Sequence, residues 1–272
     1  MNTKPVFPIL GIFLLLAVSL ACNLSGVALT SEPDISQLAP TETQTVEGMV
    51  VSFQGTSFTI PKGLAGGAST QSTTDFELPF TNPGYGDMPE HLKFTLENYA
   101  LQGRSAYIAI FPADAYAKYS DGTAQAVGAL KALPESVGEL TSPLLQYGFY
   151  ARAKVVPFQN GRGLRYLTQV MQAPLPINNA EMIYWFTALT SDGKFYISAV
   201  FPASATFLQA DGNPATTVPA DGVPFPSAFD VTQITQYFDQ VQKKLNSAEA
   251  SSFTPSLESL DALAGSISVV EP

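Results

Sequence analysis

The chain has 272 residues, 13 Lys and Arg against 23 Asp and Glu, one His and one Cys, for a formal charge of −10. An acidic balance of this size argues against nucleic-acid binding and against docking on anionic lipid by charge, both of which require basic surface. One histidine and one cysteine exclude a zinc cluster of the usual His/Cys kind, and a single thiol excludes an intrachain disulfide.

The chain opens with Lys4, an apolar stretch from Phe7 to Leu20, then Ala21 and Cys22. A basic start, a short apolar core and a small residue at the end describe an export signal. Roughly 14 apolar residues make about 21 Å of helix, short of a ~30 Å hydrocarbon core. Ser19-Leu20-Ala21-Cys22 resembles the lipobox of bacterial lipoproteins, with Leu20 two places before the cysteine where the usual pattern has it three. The resemblance implies cleavage before Cys22, acylation of its thiol, and an anchored protein on the extracytoplasmic face of the cell membrane. The alternative is an ordinary secretory signal cut nearby. Residues 1–21 hold one lysine and no acid, so the remainder carries 12 basic against 23 acidic side chains, a formal charge of −11. Residues 22–46 are the anchored cysteine and a tether of Ser, Thr, Pro and Glu without sustained period, unable to bury enough surface to offset its ordering entropy. Residues 47–272 are expected to form a single domain.

Within that domain, Val46–Phe53 and Thr56–Ile60 flank Gln54-Gly55 as a tight hairpin. Gly63–Thr74 reads as a polar loop, Phe76–Phe80 as a short strand, and Asn82–Pro89 as a turn-rich segment. His91–Tyr99 and Ala106–Phe111 form a second hairpin, followed by helix from Ala113 to Leu133, broken at Asp121-Gly122. Tyr150–Gln159 and Arg162–Gln172 flank Asn160-Gly161, a dipeptide suited to a type I′ turn. Ile183–Thr190 and Lys194–Phe201 flank Asp192-Gly193. A two-residue turn there puts Tyr184, Phe186, Ala188, Phe195, Ile197, Ala199 and Phe201 on one face, and Trp185, Leu189 and Tyr196 on the other. Both faces are apolar, so both are expected to be covered.

A Pro- and Gly-rich loop from Pro202 to Ser227 leads to a helix capped by Asp230, with Val231, Ile234, Phe238, Val241 and Leu245 at helical spacing. A last helix is signalled by Thr254, Pro255, Leu257, Leu260 and Leu263, with Gly265 as its stop. Residues 103–122 and 193–212 align without a gap at an offset of 90, with eight of 20 positions identical. This fits either a duplicated hairpin unit or two hairpins that share exit chemistry. The sum is an α+β domain: an antiparallel sheet built from hairpins, with helices packed on it. Tyr184–Phe186, the Asp192-Gly193-Lys194 turn, Tyr196–Phe201 and the Phe229–Leu245 helix resemble, in their order, the PsbP-like fold of photosystem extrinsic proteins and bacterial relatives. That likeness implies architecture and brings no cofactor with it.

Chemistry is sparse. No Gly-x-Ser-x-Gly, P-loop or Rossmann pattern is present. His91, or the carboxylates Asp75 and Glu77 on one face of a strand, would serve a cell-envelope hydrolase, the alternative function. Asp211 and Asp221 would be the only calcium candidates, and two solvated turns explain them as well. One cluster stands out in the acidic chain: Arg152, Lys154, Arg162 and Arg165. The two-residue hairpin register pairs Val156 with Arg165, Lys154 with Leu167 and Arg152 with Gln169, making a basic stripe with Arg162 at its end. Such a stripe would hold a carboxylate, phosphate or acidic sugar, or a protein partner. Alternatively this is simply an exposed face, or these bases balance the protein's own acids. The expected function is a non-catalytic binding or assembly module, tethered to the membrane by lipid.

Overall fold

The computed structural model describes residues 47–75, 88–135, 149–227 and 230–272, all within one compact unit, Thr45–Pro272. The expected strand at Phe76–Phe80, most of the 82–89 turn segment, Glu77 and the tether lie outside the described residues. In chain order the elements are β1 (Gly48–Phe53), β2 (Thr56–Pro61), β3 (Gly67–Thr73), β4 (His91–Glu97), β5 (Tyr107–Pro112), α1 (Ala113–Tyr119) and α2 (Asp121–Lys131). Then come β6 (Tyr150–Phe158), β7 (Gly161–Thr168), β8 (Ile183–Thr190), β9 (Phe195–Pro202) and β10 (Ser204–Ala205). The chain ends with α3 (Val231–Ser247), β11 (Phe253–Thr254), α4 (Leu257–Ser266) and β12 (Ser268–Val269).

Seven strands form one antiparallel sheet in the order β3-β4-β5-β9-β8-β7-β6, and β1-β2-β12 form a small second one. This is the α+β architecture expected from the hairpin spacing. β8 and β9 pair Tyr184 with Phe201 and Ala188 with Ile197, the register read from the Asp192-Gly193 turn. Both faces of this hairpin are covered. On one, Tyr184, Phe186, Ile197 and Phe201 pack with Phe58, Phe94, Leu245, Leu260 and Leu263. On the other, Trp185, Tyr196 and Val200 pack with Phe111 of β5 and with Tyr116, Val127 and Leu130 of α1 and α2. Each fully buried large side chain contributes roughly 1.5–3 kcal/mol, so the central strands are the most firmly held part of the domain. Trp185 satisfies its indole N–H on Ser198 Oγ at 3.0 Å.

Several local expectations are corrected. Residues 67–73 are a strand, not a loop: β3 lies at the sheet edge with Ser69 to Ser72 exposed, so its polar sequence reflects the lack of a core beneath it. α3 is capped by Asp230, whose side chain accepts from the Gln233 N–H. Its buried face is Ile234, Tyr237, Val241 and Leu245, while Val231 is 71% exposed. Phe238 packs half-buried against the same core as expected, and Tyr237 joins that face, its hydroxyl accepting the Ile177 N–H at 2.8 Å. α4 is capped by Ser256, not Thr254, and runs through Gly265 to Ser266.

The hairpin of β6 and β7 turns at Gln159-Asn160, not at Asn160-Gly161, and pairs Phe158 with Gly161 and Val156 with Gly163. The register is therefore displaced by two residues from expectation. Asn160 spends its side chain on the terminal strand, donating from Nδ2 to the Val269 carbonyl and accepting the Val269 N–H on Oδ1. Gly161 is small because a Cβ there would lie 2.4 Å from both the Leu189 carbonyl oxygen and the Phe158 ring. The 90-residue echo also resolves. Its aligned residues Phe111 and Phe201 lie in the cores on opposite faces of the sheet, as do Tyr107 and Ile197. Superposed duplicates would keep their faces, so the echo is shared exit chemistry at two strand ends.

Candidate functional site

β6 is irregular where the basic residues lie. Ala151 pairs with Leu167 and Lys154 with Arg165, so three steps along β6 match two along β7. The extra residue makes a β-bulge, and Arg152 within it has φ +56°, a left-handed conformation that costs a side-chain-bearing residue roughly 1–2 kcal/mol. The C-terminal end of α3 holds the bulge in place. The Arg152 N–H donates to Asn246 Oδ1 at 2.6 Å, and its guanidinium Nη1 donates to the Asn246 carbonyl at 2.9 Å. Gln242 Nε2 donates to the Tyr150 carbonyl at 2.7 Å. An open groove of about 540 Å³ results, lined by Tyr150, Arg152, Lys154, Arg165 and Asn246, with small Ala151 and Ala153 leaving room between them.

Lys154 and Arg165 stand directly opposite each other, an arrangement that repels unless an acid intervenes. Asp261 of α4 supplies it. Its Oδ1 accepts from Arg165 Nε at 2.9 Å and from the Tyr184 hydroxyl at 2.9 Å. Its Oδ2 accepts from Arg165 Nη2 at 3.3 Å and, more loosely, from Lys154 Nζ at 3.4 Å. Arg165 also donates from Nη1 to the Arg152 carbonyl. The side chains of Arg165 and Lys154 are 6% and 58% exposed, so the first is an internal strut and the second a surface cation. Burial, then the neighbouring Asp261 carboxylate, pushes the Tyr184 phenol well above its usual range, which keeps it a donor.

The structure thus brings together three of the four expected basic residues and separates the fourth. Arg162 is exposed on the far face of β7, three residues from Arg165, and faces β6 at Pro157. The proposed stripe is a groove instead, because the bulge turns Arg152 out of the ladder. Arg165 balances Asp261, as one sequence reading of the bases has it, while Arg152 and Lys154 line open space. Asp261 and Asn246 are missing from the sequence reading. Asp261 left a trace, since it occupies one position of the Leu257, Leu260, Asp261, Ala264 stripe, where a charge is out of place.

The other candidates fall elsewhere. His91 is 2% exposed, donates from Nδ1–H to the Pro89 carbonyl at 2.9 Å, and stacks on Phe111 with ring centroids 4.2 Å apart. Burial lowers its pKa, so the ring is neutral at pH 7. Asp75 ends a turn whose N–H bonds Thr73. Asp211 folds its carboxylate onto the Asn213 N–H and the Thr216 hydroxyl, and Asp221 pairs with Lys244. Among the described residues, no group of three metal-ligating side chains converges. No helix among them is long and apolar enough to cross a membrane. The chain matches no protein-family profile, and no curated protein or solved structure is significantly similar to it.

Proposed function

We propose that the chain is an exported lipoprotein, anchored through Cys22 on the extracytoplasmic face of the cell membrane, whose domain is a non-catalytic binding or assembly module. The observation that carries the binding half is the β6 groove. In a chain of formal charge −10 it is lined by three bases and no acid. Asp261 behind it offsets one of the three, leaving a local surplus of two positive charges facing solvent. A strained, bulged residue at such a place is a device for aiming a side chain, and strain of this kind clusters at binding sites. The partner is an anionic group on an acidic ligand or on a protein.

The two halves are tested separately. Cys22→Ser should move the protein from the detergent phase to the aqueous phase on temperature-induced phase separation and abolish incorporation of labelled fatty acid. Retention of label would refute the anchor. For the groove, thermal unfolding is followed with anionic glycans, phosphates and carboxylates. A ligand at 100 times its dissociation constant adds about 2.7 kcal/mol. The expected stabilisation disappears in Lys154→Glu and persists in Arg162→Glu. Equal loss in both variants would refute the groove as the site.

A further inference from the structure

We infer that the group bound in the β6 groove is a dianionic phosphate monoester, and that it binds by drawing Lys154 away from Asp261. The inference rests on the reading of the groove as an anion site and adds the chemistry of the anion.

Charge comes first. Arg152, Lys154 and Arg165 face the groove and Asp261 offsets one of them, so two positive charges remain. A carboxylate would leave one uncompensated; a phosphate monoester, near −2 at neutral pH, matches both. Hydrogen-bond capacity points the same way. The Asn246 Oδ1 accepts the Arg152 N–H, and the amide Nδ2 is the side chain's donor group. Arg152 uses one guanidinium nitrogen on the Asn246 carbonyl and retains others. Lys154 holds Asp261 through one long contact of 3.4 Å and has further protons to donate. The polar side chains lining the groove therefore present donors, and three terminal oxygens of a phosphate accept from all of them.

Asp261 then acts as a resident competitor. Its hold on Arg165, at 2.9 Å and 3.3 Å from a buried guanidinium, is the tighter one, and the Tyr184 hydroxyl secures the same carboxylate. Lys154, 58% exposed, is the partner that can leave at little cost. When a phosphate enters, Lys154 swings to it while Asp261 stays with Arg165 and Tyr184. Asp261 repels the ligand throughout, so neutralising it strengthens binding even as it weakens the fold.

The test is titration calorimetry on the full chain in neutral detergent at pH 7.5, with glycerol 3-phosphate and acetate as probes. Glycerol 3-phosphate should bind at least tenfold more tightly than acetate. Lys154→Gln should cut its affinity severalfold and Arg162→Gln should leave it unchanged. Asp261→Asn should raise it about three- to fivefold, the scale of one partly exposed charge pair. Circular dichroism confirms that the Asn variant is folded at the assay temperature; Lys154→Gln, on an exposed side chain, reports independently of it. A short-chain phosphatidate below its micellar concentration distinguishes sources: tighter binding than glycerol 3-phosphate assigns the group to a lipid headgroup, equal binding to a soluble ester. Equal affinity for phosphate and acetate, or an Asp261→Asn variant that is folded and binds no more tightly, would overturn the inference while leaving an anion site in place. No binding of either probe would overturn the groove itself.

Discussion

Asp261→Ala is the perturbation that most directly weighs the network behind the groove. In the folded chain this carboxylate accepts from Arg165 at 2.9 Å and 3.3 Å, from Tyr184 at 2.9 Å and from Lys154 at 3.4 Å. Removing it leaves the Arg165 guanidinium, 6% exposed, with the Arg152 carbonyl as its remaining partner, and leaves the Tyr184 hydroxyl buried without its acceptor. Breaking one side of a buried pair costs roughly 3–5 kcal/mol. Asp261 is itself 20% exposed, so water relieves part of this and about 2–4 kcal/mol is expected. For a domain of this size that lowers the melting temperature by about 5–12 °C. Urea unfolding of residues 45–272 would measure it, with two companions. Lys154→Gln should cost under about 1 kcal/mol, because its contact is long and solvated. Arg165→Met combined with Asp261→Leu should recover the share of the loss due to the unpaired charge, since an apolar pair needs no desolvation of charge, while the Tyr184 hydroxyl stays without its acceptor. A loss below about 1 kcal/mol in Asp261→Ala would show that Arg165 finds solvent or another partner, and the picture of an inner strut and an outer cation would fail.

Three further outcomes follow from other parts of the fold. His91 binds its proton less readily in the fold than in the unfolded chain, so its contribution to stability is complete above about pH 6.5 and is lost as pH falls from there towards the lowered folded value. Urea midpoints between pH 7.5 and 5.5 should decline more steeply in the wild type than in His91→Phe; parallel declines would remove His91 from the account. Gly161→Ala should cost about 2–4 kcal/mol, because its Cβ meets backbone at 2.4 Å, whereas Gly193→Ala, with open space but φ +73°, should cost only about 1 kcal/mol. Equal costs by denaturant titration would mean the β7–β8 contact relaxes freely. Arg152→Gly relieves the left-handed backbone and keeps the N–H bond to Asn246, so stability should hold within about 1 kcal/mol while anion affinity falls. A large loss of stability would make Arg152 a structural latch for α3 rather than a ligand group.

What the sequence disclosed and what it withheld divide along one physical line. The β8–β9 register, both of its covered faces and the Asp230 cap depend on residues close in the chain, so alternation, helical spacing and turn chemistry reported them. The α1–α2 break was read one residue late, since it falls at Ser120, which caps α2, and Asp121-Gly122 open that helix. The β6–β7 register failed because Asn160-Gly161, the strongest turn dipeptide present, is used for something distant: Asn160 bonds Val269, 109 residues away, and Gly161 makes room for β8. β3 was missed because a strand with no core under it carries no apolar alternation to read. The basic cluster was visible, since bases concentrated in an acidic chain need no structure to be noticed. Its division into strut and groove was not, because the partner that divides it lies 96 residues on from Arg165, in α4. Even so, a charge seated within the stripe of Leu257, Leu260 and Ala264 violates the helix's own pattern. A helix tolerates such a residue only when something across the core answers it, and in this chain the unmatched bases of β6 and β7 were the group available to do so.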